Sequence, residues 1–184
     1  KEKAVDGYLV QAFDEKDGEK MLVGILTGCG FCSDIEIIRD GAKLFVEKNI
    51  SIQDRYYLGE AIIIPEYQHK KILPHMLWEL GKQVVQLHKY SSLCFLTVIR
   101  EENDSRKPDG YKSTDKLWEK LGCHRANITS SFEWPTIMLD GSVQDIHNDV
   151  EFWKYDPALI GFGELIVFVS QQALKKISNR LQPL

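Results

Sequence analysis

Tyr56-Tyr57-Leu58-Gly59-Glu60-Ala61-Ile62-Ile63-Ile64-Pro65-Glu66-Tyr67-Gln68-His69-Lys70-Lys71-Ile72-Leu73 is the stretch on which the fold turns. Tyr56, Tyr57 and Ile62 to Ile64 are aromatic or β-branched, as strands prefer. The unbroken apolar run Ala61-Ile62-Ile63-Ile64 predicts a central strand buried on both faces. Pro65 ends it, because proline has no N–H to give a ladder. Beyond the turn, Leu73, Met76, Leu77, Leu80, Val84 and Leu87 recur at helical spacing, which predicts an amphipathic helix over about 71–89. Pro74 is tolerated only near the start of such a helix. A strand feeding a helix through a short turn leaves the first-turn N–H groups without partners. Together with the helix dipole they form an anion site. His69, Lys70 and Lys71 add positive charge there, and a pyrophosphate is its natural occupant.

Outward from this segment, residues 92–99 read as a second buried strand, so strand, helix and strand form a parallel pair with a crossover. Residues 7–14 and 21–27 flank a polar stretch containing Asp17-Gly18 and read as an antiparallel hairpin. Residues 33–54 are mixed, with a short helix expected near Leu44-Phe45-Val46. Residues 113–121 predict a short helix capped by Ser113 or Thr114 and stopped by Gly122. Residues 132–138 and 150–153 predict late strands with a turn at Asp140-Gly141, and residues 171–181 a last helix. The expected fold is α/β (α+β): a mixed, mostly antiparallel sheet with a parallel pair, flanked by helices, in a single domain over 1–184.

The 184 residues are 43% hydrophobic and 27% charged, an ordinary globular balance. A net charge of -4 argues against broad nucleic-acid binding, which needs a basic footprint. The opening residues have no apolar core of a secretory signal, and no apolar stretch reaches the roughly 20 residues a membrane span needs. The expectation is a cytoplasmic protein with no membrane and no nucleic-acid partner. Cys29-Gly30-Phe31-Cys32 is a C-x-x-C, but no second pair at zinc spacing accompanies it, and reduced thiols are the simpler reading. No metal is expected. The histidines at 69, 75, 88, 124 and 147 show no ligand spacing, and nothing matches a nucleophile elbow.

Leu58-Gly59-Glu60-Ala61-Ile62-Ile63-Ile64-Pro65-Glu66-Tyr67-Gln68 resembles the central motif of the GNAT superfamily of N-acetyltransferases. There a strand and Pro-Glu-Tyr lead into Q/R-x-x-G-x-G/A at the mouth of a helix. Leu117-Trp118-Glu119-Lys120-Leu121-Gly122-Cys123 is similar to a second family segment. Phe132-Glu133-Trp134-Pro135, followed by Val150-Glu151-Phe152-Trp153-Lys154, looks like the closing strands of some members. The resemblance implies a GNAT-like sheet whose parallel pair splays, and acetyl-CoA as co-substrate. Its pantetheine would lie along Ile62, Ile63 and Ile64, with Ile62 and Ile64 offering backbone groups. Gln68, His69, Lys70, Lys71, Ile72 and Leu73 would wrap the pyrophosphate, with Trp118 alongside.

The implied reaction is direct attack of a primary amine, on a small molecule or a peptide, upon the thioester. Glu60, on the central strand, is the candidate base, and Tyr111 a second candidate catalytic residue. Each also has a plain structural reading, as a strand carboxylate and a packing aromatic. The sequence departs from the family at Lys71 and Leu73, where small residues are preferred, and at Trp118, where the family often has the tyrosine that protonates the leaving thiolate. An indole N–H cannot do that. The departures keep a second reading open: a GNAT-like module that holds CoA or a partner without catalysis. A structural protein with no nucleotide ligand is a third. Homodimers are frequent in the family.

Overall fold

The computed structural model describes residues 5–104, 106–107, 110–138 and 140–156. Its centre is a six-stranded sheet in the order β1-β2-β3-β4-β6-β5. The elements run β1 (Tyr8–Lys16), β2 (Glu19–Gly30), α1 (Glu36–Glu47), β3 (Arg55–Ile63), α2 (Ile72–Gln86), β4 (Ser92–Val98), α3 (Asp115–Lys120), β5 (His124–Ile137) and β6 (Val143–Tyr155), with a 3-10 turn at Pro65–Tyr67 between β3 and α2. All neighbouring strands pair antiparallel except β3 and β4, which are parallel. This is the mixed sheet expected from the sequence. The helix expected over 171–181 lies outside the described residues.

Local chemistry explains the element ends. Asp17 and Gly18 both take positive φ, 55° and 82°, the geometry of a tight hairpin whose twist matches its strands. Ile38, Ala42 and Phe45 bury one stripe of α1. Gly41 lets Phe152 close on that helix, since an added Cβ would meet the ring at 2.8 Å. Helix α2 buries Met76, Leu80, Gly81 and Val84. It stops at Gln86, short of the expected Lys89, because His88 turns left-handed at φ 48°. Ser113 Oγ accepts the Asp115 N–H at 3.1 Å at the start of α3, and Gly122, at φ 82°, ends that turn. The late hairpin is longer than its sequence signal: β5 begins at His124 and β6 at Val143. Their outer residues alternate half-buried and exposed, so the apolar run is diluted.

The helices cover the two faces of the sheet. On one face α2 and Trp118 of α3 pack against Leu26, Tyr56, Leu58, Phe95, Trp153 and Tyr155. On the other, α1 packs against Tyr57, Cys94, Ala126, Ile128, Val150 and Phe152. Below the parallel pair the buried Arg55 donates to the Leu93 and Ser51 carbonyls and pairs with Asp156 at 2.7 Å. Every polar atom of that guanidinium edge therefore has a partner, which a buried charge requires.

The expectation that residues 61–64 are buried on both faces is corrected here. Arg55 to Leu58 are buried, but Gly59 to Ile62 are exposed, and Ile62 keeps 50% of its surface. The reason is the neighbour. Strand β4 pairs with β3 only at Arg55, Tyr56 and Tyr57 and then parts from it, while its other edge stays paired with β6 from Leu93 to Val98.

Candidate active site

The site is built around that parting of strands. Beyond Tyr57↔Cys94 no cross-strand pair joins β3 to β4, while each stays paired on its other side, β3 with β2 to Ile63 and β4 with β6 to Val98. An opening therefore runs into the sheet, and its β3 edge carries main-chain groups with no ladder partner. An extended amide chain could occupy that edge as an added strand.

A bulge decides which groups face the opening. Between Leu26↔Ala61 and Gly28↔Leu58, strand β3 has one residue more than β2. The extra residue lies at Gly59-Glu60, where the Glu60 N–H donates to Thr27 Oγ1 at 2.8 Å. Further on, the Ile64 N–H donates to the Val23 carbonyl at 3.1 Å. Strand alternation then turns the backbone of Ile62 and Ile64 toward β2 and that of Ala61 and Ile63 toward the opening. The family resemblance implies open groups at Ile62 and Ile64; the bulge shifts the alternation by one. Gln68 Nε2 donates to the Ile63 carbonyl at 3.2 Å, so a side-chain amide already sits at one of these open positions.

The strand leads through the 3-10 turn to the start of α2. Tyr67 and Gln68 spend their N–H groups on the Ile64 and Pro65 carbonyls. Among the described residues, the N–H groups of His69, Lys70, Lys71, Ile72 and Leu73 meet no acceptor outside the helix, and residues at the start of a helix have none within it. Pro74 has no N–H to satisfy. His69 and Lys71 both take left-handed conformations, φ 61° and 66°, which fold these donors into one turn. Lys71 thus adopts, with a side chain, the backbone geometry that glycine adopts freely. The turn is braced from below: the Tyr67 hydroxyl hydrogen-bonds to Asp14 on β1, and Lys70 Nζ lies 4.3 Å from the Tyr67 ring centre. Asp14 holds the Tyr67 phenol above its ordinary pKa. No sequence pattern linked Asp14 to Tyr67, which are far apart in the chain.

Glu60 borders the opening on β3, and Trp118 packs beside β4. Glu60 is exposed on the bulge, on the side of Tyr57. Burial first, then the charges of Cys94 and Glu60, push the Tyr57 phenol well up. Trp118 packs on Phe95 of β4 with ring centres 4.4 Å apart, and its indole N–H donates to Thr114 Oγ1 at 3.1 Å. Tyr111 is exposed, with Lys107 Nζ 5.6 Å from its ring centre. Past the end of β4, a cavity of about 600 Å³ is flanked by Glu101, Asp104, Arg106 and Asp149. Thr27 is the site residue the sequence reading missed; a Gly-Glu pair inside an apolar strand was the available sign of a bulge.

The cysteines offer no reactive thiolate in the core. Burial pushes the Cys123 thiol up to about 12 and raises Cys29 and Cys94. Among the described residues, no three His, Cys, Asp or Glu side chains converge as a metal site, and no helix is long and apolar enough to cross a membrane.

No family model matches this chain, and no curated protein does. Solved structures similar to it include Arabidopsis thaliana NAA60 in complex with acetyl-CoA, at 14% identity and a TM-score of 0.48, covering 82% of this chain and 76% of that one. An aminoglycoside 6'-N-acetyltransferase complexed with coenzyme A matches at 13% and 0.46, covering 82% and 72%. A chain described as a GNAT-family acetyltransferase from Desulfovibrio desulfuricans matches at 14% and 0.45, covering 82% and 69%. At these identities and scores the likeness by itself decides nothing about function, which is read instead from this chain's own strands and turn.

Proposed function

We infer that this chain transfers an acetyl group from acetyl-CoA to a primary amine. The observation that carries the reading is the opening between β3 and β4 that ends on the free N–H groups of His69 to Leu73. An amide-bearing arm next to a diphosphate is the ligand whose two parts match an open strand edge and a helix-start anion site. The pantetheine amides would pair with Ala61 and Ile63, displacing Gln68 from the Ile63 carbonyl. The diphosphate would sit on the turn, with Lys70 and Lys71 adding charge.

In the transfer step the amine nitrogen attacks the thioester carbon, a C–N bond forms and the C–S bond breaks. The amine proton passes to Glu60, directly or through water, and the departing thiolate takes a proton from solvent. Glu60 stands on the bulge at the opening, while the Trp118 N–H is a weak acid already bonded to Thr114. Trp118 is also what favours a second reading, a fold that holds CoA without turnover.

Calorimetric titration with CoA and amine-dependent release of free thiol from acetyl-CoA separate the readings. Binding with turnover that falls at least about tenfold in Glu60→Gln, at unchanged CoA affinity, is the expected result. Binding without turnover on any amine leaves the non-catalytic module, and absence of CoA binding removes both.

A further inference from the structure

We propose that the acceptor is an amine carried on an apolar body, an alkyl or arylalkyl amine, seated on the α1 face of the opening with its nitrogen at Glu60. The proposal rests on the acetyl-transfer reading and names its second substrate class.

Cross-strand pairing shows what surrounds Glu60. Tyr57 is stacked on Phe31 within the α1 layer, so Tyr57 marks the α1 face of β3. Past the bulge Ile62 returns to that face and pairs with Ile25, while Leu9 pairs with Thr27 beside Glu60. Leu9 and Phe13 alternate on the same face of β1. These side chains are not covered: Leu9 is 56%, Phe13 53% and Ile62 50% exposed. Helix α1 lies over the other half of the sheet, against Phe152 and Ile128.

Across the opening the same face of β4 carries Leu96 and Val98, both half-buried, while Phe132 lies farther out on β5, opposite Asn148, which accepts from Arg100 and Arg106. Glu60 is therefore a carboxylate between two apolar walls. A cationic amine has its charge partner there, and most of the side chains beside it are apolar, Gln11 and Thr27 being the polar ones. A polyhydroxylated or multiply charged acceptor would lose water from more groups than Gln11 and Thr27 can partner, which such a site penalises.

The test is a homologous series, propylamine to hexylamine, with 2-phenylethylamine, spermidine and glucosamine, assayed by thiol release. Binding of 2-phenylethylamine to the CoA-loaded chain is measured separately by calorimetry. Expected is a kcat/KM rising about fourfold per added methylene until the cleft is filled. Val98→Ser should flatten the rise and weaken 2-phenylethylamine about tenfold while the CoA Kd stays put; Val98→Ala is the milder variant should Val98→Ser not fold. A flat series, or spermidine or glucosamine preferred over hexylamine, overturns the inference and leaves acetyl transfer standing. A flat series together with a dimer that dissociates in Leu9→Lys assigns this face to a second copy instead. A chain that binds no CoA removes the transfer reading and this inference with it.

Discussion

Replacing Lys71 by glycine and by alanine separates two effects that the turn combines. Lys71 sits at φ 66°, ψ 19°, immediately before α2. For a residue with a Cβ this left-handed geometry costs about 1–2 kcal/mol. Glycine removes that cost but has a freer unfolded chain, which takes back about 0.4–1 kcal/mol. Lys71→Gly should therefore be more stable than the parent by about 0.5–1 kcal/mol, a Tm gain of about 2–3 °C for a chain of this size. Lys71→Ala keeps the Cβ, gains no relief, and should stay within about 0.5 kcal/mol of the parent.

Both variants lose the same ammonium, so their CoA affinities differ only through backbone access to the diphosphate. Both should bind CoA more weakly than the parent, and Lys71→Gly more tightly than Lys71→Ala. Differential scanning calorimetry and CoA titration read the two arms. If Lys71→Gly melts no higher than Lys71→Ala, the strain at this turn is refuted. If Lys71→Ala binds CoA as tightly as the parent, the placement of the diphosphate beside Lys71 is refuted.

Other perturbations probe the same framework. Gly28 lies under Tyr56, and a Cβ there would come to 2.5 Å from the ring; Gly28→Ala should cost about 1–3 kcal/mol in urea unfolding, and a neutral result would show that the ring has room to move. Hydrogen bonds from Arg106 hold the Asp104 carboxyl well below the usual carboxylate range. A depressed folded pKa contributes stability above the unfolded value near 3.8 and loses it as pH falls toward the folded one. Asp104→Asn should thus be destabilised at neutral pH and show a shallower loss of Tm below about pH 4, whereas parallel acid limbs would contradict the pairing. Trp118→Tyr places a phenol where the indole now stands beside Phe95; a rise in kcat with KM for acetyl-CoA unchanged is expected if thiolate protonation limits turnover, and no rise would place the slow step elsewhere.

Residues 56–87 by themselves determined a strand, a proline stop and an amphipathic helix, because β-branched runs, Pro65 and the spacing of Met76, Leu80 and Val84 each act over a few residues. The Asp17-Gly18 hairpin and the stop at Gly122 were legible for the same reason: the required backbone angles belong to the residues at the turn. The late strands were read short because the outer part of β5 alternates with half-exposed residues and dilutes its apolar signal. What only the tertiary structure decided is where strands part and which way their backbones face. Ala61 to Ile64 look buried in sequence and become an open edge because β4 stops pairing with β3 beyond Cys94. Ala61 and Ile63, rather than Ile62 and Ile64, face the opening because Thr27 on another strand captures the Glu60 N–H at a bulge. Burial and hydrogen-bond direction depend on partners distant in the chain, and no local pattern of side chains encodes which partner wins.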